Sequence, residues 1–98
     1  MTYQVIWTNK ARETYNQNLD YLLQNWEDKV YNDFVNRVEV VVDHLRQNPK
    51  MFIAIDVNRN IYRCVVTKHI SLFYQLTGNS VLLLLFWNNF QEPEKLPL

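Results

Sequence analysis

The sequence predicts an α+β fold of two layers, in which a hairpin of two helices packs on one face of a mostly antiparallel sheet. Apolar residues recur at helical spacing between residues 10 and 48, and short β-branched and aromatic runs lie on either side. Only a few residues separate the two helical segments, so the helices are expected to be antiparallel neighbours. With 98 residues, the chain is expected to form one domain over 1–98.

A strand comes first and two helices follow it. The run YQVIWT (3–8) is short, β-branched and aromatic, which is typical of a strand. From Lys10 the apolar residues take helical spacing, with Thr8 or Asn9 as the expected N-cap. A second apolar stripe of the same period indicates the second helix, and Pro49 ends it.

The remaining segments are predicted to be strands. The first of them is expected to be a short edge strand, and Gly78-Asn79 predicts a two-residue hairpin between the last two. In chain order they are MFIAID (51–56), IYRCVV (61–66), ISLFYQL (70–76) and SVLLLLFW (80–87).

The loop between the second and third of these strands decides which side chains face the helices. A two-residue loop would place an arginine on the apolar face. A three-residue loop over 67–69 pairs Val66 with Ile70 and Cys64 with Leu72, and gathers apolar side chains on one face without a charge. Because a slip of one residue inverts every side chain, burial favours the three-residue loop.

The same pairing extends into the last strand. It places Leu72 opposite Leu85 and Tyr74 opposite Leu83. The residues of the last strand that we expect in the helix-facing core are Val81, Leu83, Leu85 and Trp87.

The sheet face away from the helices, called the open face below, is also apolar. A helix hairpin covers one face only, so either the C-terminal segment from Phe90 to Leu98 or a partner must cover the other. The residues predicted to bind a partner there are Arg63, Phe73, Leu82, Leu84, Phe86 and Phe90.

Three polar residues of the hairpin are candidates for chemistry. Arg63 projects from the middle of a strand, where it either grips a phosphate or carboxylate or covers apolar neighbours with its alkyl stem. Lys68 and His69 lie at the hairpin tip, where His69 is either a general acid or base or part of a solvated turn. Together, Arg63, Lys68 and His69 are the candidate catalytic set of a ribonuclease.

The composition argues against several classes of protein. The net charge is zero, with ten basic and ten acidic residues, which argues against general nucleic-acid affinity. Acidic residues dominate residues 1–45 and basic ones 46–98, so a local basic field is still allowed. No apolar run is long enough for a membrane span, and because no charged-then-apolar stretch opens the sequence we do not expect secretion. The single Cys64 fits a reducing cytoplasm, and the spacing of Cys and His predicts no metal site; no cofactor is expected.

Several segments resemble the RelE/ParE superfamily of bacterial type II toxin–antitoxin toxins, also associated with plasmid stabilisation. They are WTNKA at the start of the first helix, YLLQNW at its end, NPKMF after the second, and IYRCVVTKHISLFYQLTGNSVLLLLFWNNFQEPEKL. The resemblance covers nearly the whole chain. It implies a β-α-α-β-β-β-β fold with the first strand beside the last, a bacterial cytoplasm, and a cognate antitoxin that wraps the toxin. It also allows a homodimer.

The resemblance implies one of two activities. RelE-like members cleave mRNA on the ribosome without metal, using basic residues of the sheet and a C-terminal Tyr, His or Arg. ParE-like members inhibit DNA gyrase and need no nuclease site. Arg63 matches the mid-sheet arginine of the family, but Phe90 stands where close relatives have an arginine and Asn88 replaces an acid.

We therefore expect a ParE-like growth inhibitor that acts by binding protein and is neutralised by its antitoxin. One alternative is a RelE-like ribosome-dependent endonuclease that uses Arg63, Lys68 and His69. The other is a degenerate member that keeps the fold and the partner without toxicity.

Overall fold

A computed structural model of the chain describes residues 2–98, and its elements follow the predicted order. A short 3-10 turn over Pro93–Lys95 follows the last strand. The elements are β1 (Gln4–Trp7), α1 (Asn9–Asn25), α2 (Asp28–Gln47), β2 (Ile53–Asp56), β3 (Ile61–Val65), β4 (Ile70–Thr77) and β5 (Ser80–Asn88).

The five strands form one sheet in the order β1-β5-β4-β3-β2, so the first strand lies beside the last, as expected. The pairs from β2 to β5 are antiparallel, whereas β1 runs parallel to β5, which makes the sheet mixed. The predicted α+β fold with a helix hairpin on one face of the sheet is confirmed. Strand β2 lies at an edge, as its short sequence predicted.

Local signals place the helix ends and one turn. Thr8 caps α1, since its side chain accepts a hydrogen bond from the backbone N–H of Ala11 at 3.1 Å. Helix α2 ends at Gln47, just before Pro49, which cannot continue a helix. Gly78 adopts a φ of +57° in the turn between β4 and β5, a conformation that favours glycine.

The predicted register of the β3–β4 hairpin is confirmed. Cys64 pairs with Leu72, and the backbone N–H of Val66 donates to the carbonyl of Ile70 at 3.0 Å. Cys64, Val66, Ile70 and Leu72 are all buried in the helix-facing core. The three-residue loop therefore keeps every charge off that face.

The predicted register between β4 and β5 is only partly right, because a β-bulge interrupts β5 at Leu84. Tyr74 lies opposite Leu83 as expected, but Phe73 lies opposite Leu85 and Leu72 opposite Phe86. The extra residue inverts the rest of the strand, since side chains alternate between faces.

The bulge corrects three assignments. Phe86, predicted on the open face, is 2% exposed in the helix-facing core, where its ring packs 5.5 Å from Trp7. Leu85 and Trp87, predicted in that core, lie opposite Phe73 and Ser71 and therefore face the other way. Without the bulge, Leu85 would lie opposite Leu72 in the core. With the bulge, the larger ring of Phe86 takes that position and packs against the helices.

Beyond the end of β1, side chains of helix α1 form hydrogen bonds with the outer edge of β5. The hydroxyl of Thr14 accepts a hydrogen bond from the backbone N–H of Phe86 at 2.9 Å, and the amide of Asn18 donates to the carbonyl of Phe86 at 3.2 Å. Both polar side chains are buried. They satisfy backbone groups that a neighbouring strand would otherwise bond.

Candidate functional site

Arg63 lies in the middle of β3 on the open face, as predicted, and its side chain is held by two neutral groups. Its Nε donates to Oγ of Ser71 at 3.1 Å, and one terminal nitrogen lies 3.5 Å from Oδ1 of Asn89. Ser71 also donates to Oδ1 of Asn89 at 2.8 Å, which closes the cluster. Ser71 lies on the neighbouring strand β4 and Asn89 directly follows β5, one strand further away, so together they orient the guanidinium against the sheet.

No carboxylate neutralises Arg63 within residues 2–98. The three ion pairs of this part of the chain join residues three apart on the surface: Arg46–Asp43, Arg59–Asp56 and Lys95–Glu92. The guanidinium is exposed and keeps donors free beyond those bonded to Ser71 and Asn89. It is therefore suited to bind a carboxylate or phosphate through two parallel hydrogen bonds.

A groove of about 260 Å³, called the Arg63 groove, lies between the sheet and the C-terminal segment. Its walls are Ile55, Arg63, Phe73, Trp87, Pro93 and Leu96, with Asn89 and Gln91 beside them. Phe73 is only 4% exposed although no helix covers this face. The C-terminal segment thus covers part of the open face, which was one of the two alternatives that the sequence left open.

The predicted partner-binding residues differ in accessibility. Arg63 is exposed and Phe90 is 64% exposed, whereas Leu82 and Leu84 are half-buried. Phe73 is buried beneath the C-terminal segment. Phe86 is in the helix-facing core, where a partner cannot reach its ring, whereas Phe73 contributes a wall of the Arg63 groove.

His69 does not lie in a solvated turn. Its side chain is 4% exposed, with its ring 4.3 Å from that of Trp26 and 5.5 Å from that of Phe90. The Nδ1 atom is buried without a hydrogen-bond partner. Burial, followed by the charge of Lys68, lowers the pKa of His69 below its ordinary value.

The candidate catalytic residues have different surroundings. Lys68 is exposed at the hairpin tip, and the amide of Asn89 donates to its carbonyl oxygen at 3.2 Å. His69 packs against aromatic rings, while the side chain of Arg63 bonds to Ser71 and Asn89. A substrate at Arg63 would find a charge to bind but no accessible imidazole to exchange protons.

Other groups with altered pKa values belong to the core. Burial raises the pKa of Cys64 to about 11, so its thiol is protonated and unreactive at neutral pH. Burial also raises the pKa of Tyr74, whose hydroxyl donates to the carbonyl of Pro49 at 2.6 Å. Over residues 2–98, no three of the His, Cys, Asp and Glu side chains are grouped as a metal site. Neither helix of this part of the chain is long and apolar enough to span a membrane.

Two residues of the site were missed from the sequence. Asn89 links β5 to Arg63 and to the hairpin tip, and the only signal was its place directly after the strand. Trp26 covers His69, but its spacing in the first helix indicated a core residue.

Comparison with known proteins identifies the family. The sequence model of a protein family, described as the ParE toxin of the type II toxin–antitoxin system, parDE, matches residues 5–89. No relative with a curated description matches the sequence.

Solved structures show the same fold. A chain from the chromosomal ParDE system of P. aeruginosa superposes with a TM-score of 0.71 at 13% identity, covering 89% of this chain and 96% of that one. A copper-bound mutant toxin from Helicobacter pylori gives a TM-score of 0.56 at 14% identity, covering 89% of this chain and 94% of that one. The chain belongs to the ParE toxin family and is the toxin of a type II toxin–antitoxin module, with a cognate antitoxin as its partner.

Proposed function

We propose that this toxin inhibits growth by binding a protein target in the bacterial cytoplasm, and that its antitoxin neutralises it by binding at the Arg63 groove. The supporting observation is an exposed arginine, held by Ser71 and Asn89 and without a carboxylate among residues 2–98, at the rim of an apolar groove. DNA gyrase is the target that the ParE resemblance implies. An acidic segment of the antitoxin would bond to Arg63 and place apolar side chains in the groove.

Protein binding suits this geometry better than RNA cleavage does. Cleavage through the 2′-hydroxyl needs a base, an acid and stabilisation of the phosphorane charge. Arg63 and Lys68 supply charge only. His69 could move protons near neutral pH, but it is 4% exposed and packs against Trp26.

The antitoxin part of the proposal is tested with the protein encoded beside the toxin gene. Arg63→Ala should weaken its binding by about 2–5 kcal/mol, because a desolvated carboxylate of the partner would lose its pair. Arg59→Ala is the matched control, since Arg59 is an exposed arginine already paired with Asp56 at 2.6 Å. Titration calorimetry measures both. Equal affinity of the Arg63→Ala and Arg59→Ala variants would place the antitoxin elsewhere.

The target is tested by two assays on the induced toxin. In the first assay, the purified toxin should inhibit supercoiling by DNA gyrase. In the second, primer extension on mRNA translated after induction of the toxin should show no codon-linked cuts. Cuts that disappear in both Arg63→Ala and His69→Ala would establish the ribosome-dependent nuclease instead.

A further inference from the structure

A cavity of about 340 Å³, called the α1–β5 cavity, lies between one face of helix α1 and the end of β5, and the C-terminal segment forms its third wall. It is separate from the Arg63 groove, although Trp87 and Gln91 line both. Ligand sites range from roughly 300 to 1,000 Å³, so this cavity has the size of a small one. The function proposed above does not use it.

The lining of the α1–β5 cavity is positively charged. Lys10 on α1 and Lys95 in the C-terminal segment contribute to it, and none of the lining residues is acidic. Among residues 2–98, Lys10 forms no ion pair, and Lys95 pairs only with Glu92 at 3.7 Å. That pair is exposed and contributes little. An anionic group in the cavity would therefore have two cations beside it.

A buried acceptor also lines the cavity. Asn18 is 6% exposed, and its amide nitrogen donates to the carbonyls of Thr14 at 2.8 Å and Phe86 at 3.2 Å. Because both partners are acceptors, the orientation of the amide is fixed, and Oδ1 lies on its other side. Within residues 2–98, this oxygen accepts no hydrogen bond from any side chain or backbone group. Since buried polar atoms are ordinarily bonded, Oδ1 is suited to accept from an N–H or O–H of a ligand.

The backbone of β5 provides a free donor at the same place. Strand β1 pairs with β5 only as far as Leu83, so no strand covers the last residues of this outer edge. The N–H of Asn89 donates to the carbonyl of His69, on the β4 side, at 2.7 Å. Backbone groups of successive strand residues alternate between the two sides, so the N–H of Asn88 points to the outer edge. Asn88 lines the cavity, and no acceptor for its N–H is found among residues 2–98.

We propose that the α1–β5 cavity binds the carboxyl terminus of a peptide. The terminal carboxylate would lie between the ammonium groups of Lys10 and Lys95 and accept a hydrogen bond from the N–H of Asn88. The backbone N–H of the last peptide residue would donate to Oδ1 of Asn18. A peptide end thus matches the cations, the free donor and the buried acceptor together.

Other anionic groups match the lining less well. A simple carboxylate such as acetate brings no donor for Oδ1 of Asn18. An internal acidic residue would require the peptide to continue past a cavity that has walls on three sides. The apolar part of the lining favours an apolar last residue, and it comes from Leu85, Trp87 and Pro97. None of this rests on the Arg63 groove.

Titration of the full-length, isotope-labelled toxin with N-acetyl-alanyl-leucine, followed by NMR, tests the proposal. The dissociation constant should be on the order of 0.1–1 mM, as expected for a ligand of this size. The largest shifts should appear at the backbone N–H of Asn88 and the side-chain amide of Asn18. The same dipeptide with an amidated C-terminus should bind about tenfold more weakly, because it lacks the charge.

Surface variants test the charge without disturbing the core. Lys10→Gln combined with Lys95→Gln should weaken the binding of the dipeptide by about tenfold, and both lysines are exposed, so the fold should be retained. Lys29→Gln is the matched control, because Lys29 is exposed on α2 and does not line the cavity. That variant should bind as the wild type does.

Several outcomes would overturn the proposal. One is the absence of shifts up to about 10 mM dipeptide, well above the expected dissociation constant. Another is equal binding of the acid and the amide, or of the lysine variant and the wild type. Acetate that binds as tightly as the dipeptide would show a site for simple anions and not for peptide ends. Shifts centred on the Nε–H of Arg63 would place the peptide in the Arg63 groove instead.

Discussion

The two faces of the sheet handle polar groups in different ways. On the helix-facing side the core residues are apolar, and Cys64, Leu72 and Leu83 are each no more than 1% exposed. The open face carries Arg63, yet its polar side chains bond to one another through Ser71 and Asn89. The helix-facing side excludes charge through its register, whereas the open face supports a charge with neutral hydrogen-bond partners.

The difference separates stability from recognition. Burial of the apolar face against the helices stabilises the fold, but it leaves no side chains there for a partner to contact. An exposed arginine over a partly covered groove contributes little to stability but provides direction and charge for binding. Substitutions on the two faces should therefore affect different measurements.

The largest expected effect tests the bulge that divides the faces. Phe86→Ala should lower the free energy of unfolding by about 3–5 kcal/mol, because it leaves a cavity among the rings of Trp7, Tyr15 and Phe34. Leu84→Ala should cost only about 1–2 kcal/mol, since Leu84 is half-buried. Denaturation in urea measures both. Similar losses for the two variants would contradict the bulge, because the unbulged register puts both residues on the open face.

A smaller effect tests how the open face is covered. The backbone hydrogen bonds of the C-terminal segment are local, from Lys95 to Glu92 and from Leu96 to Pro93. Its attachment to the sheet thus depends on side chains such as Leu96. Truncation after Gln91 should cost about 1–3 kcal/mol and increase the binding of a dye specific for apolar surface.

Two full-length variants accompany the truncation. Leu96→Ser should reproduce much of its effect, because Leu96 is the half-buried residue of the segment. Lys95→Ser should not, because Lys95 is exposed. Unchanged stability and dye binding after truncation would show that the segment does not cover Phe73 in solution.

Most of the fold could be predicted because local signals act over short distances. The change in apolar period separated helices from strands, and the absence of charge on one face fixed the β3–β4 register. The bulge at Leu84 could not be predicted, because VLLLLFW is apolar at every position and fits the core in either phase.

The candidate site was predictable at Arg63 and not at His69. A charge in the middle of a strand must point away from the core, so its alternation with Cys64 placed it on the open face. His69 follows Lys68 in a turn, where polar residues are ordinarily solvated. Its burial depends on Trp26, which is distant in the sequence and lies at the end of the first helix, in the turn between the helices.

The smallest effect that we expect concerns His69, an exception to the apolar packing on the helix-facing side. Burial lowers its pKa in the folded state below the ordinary value of 6.5, so the unfolded chain takes up a proton first as the pH falls. The free energy of unfolding should therefore decrease below about pH 6.5, by at most about 1.4 kcal/mol per pH unit, and level off once the folded histidine is protonated. His69→Gln should remove this decrease between about pH 7 and 5, where carboxylates contribute little. His44→Gln is the matched control, since the side chain of His44 is exposed on α2, and it should keep the wild-type slope. If His69→Gln keeps that slope too, the imidazole has a hydrogen-bond partner or solvent contact in solution, and its burial beneath Trp26 is wrong.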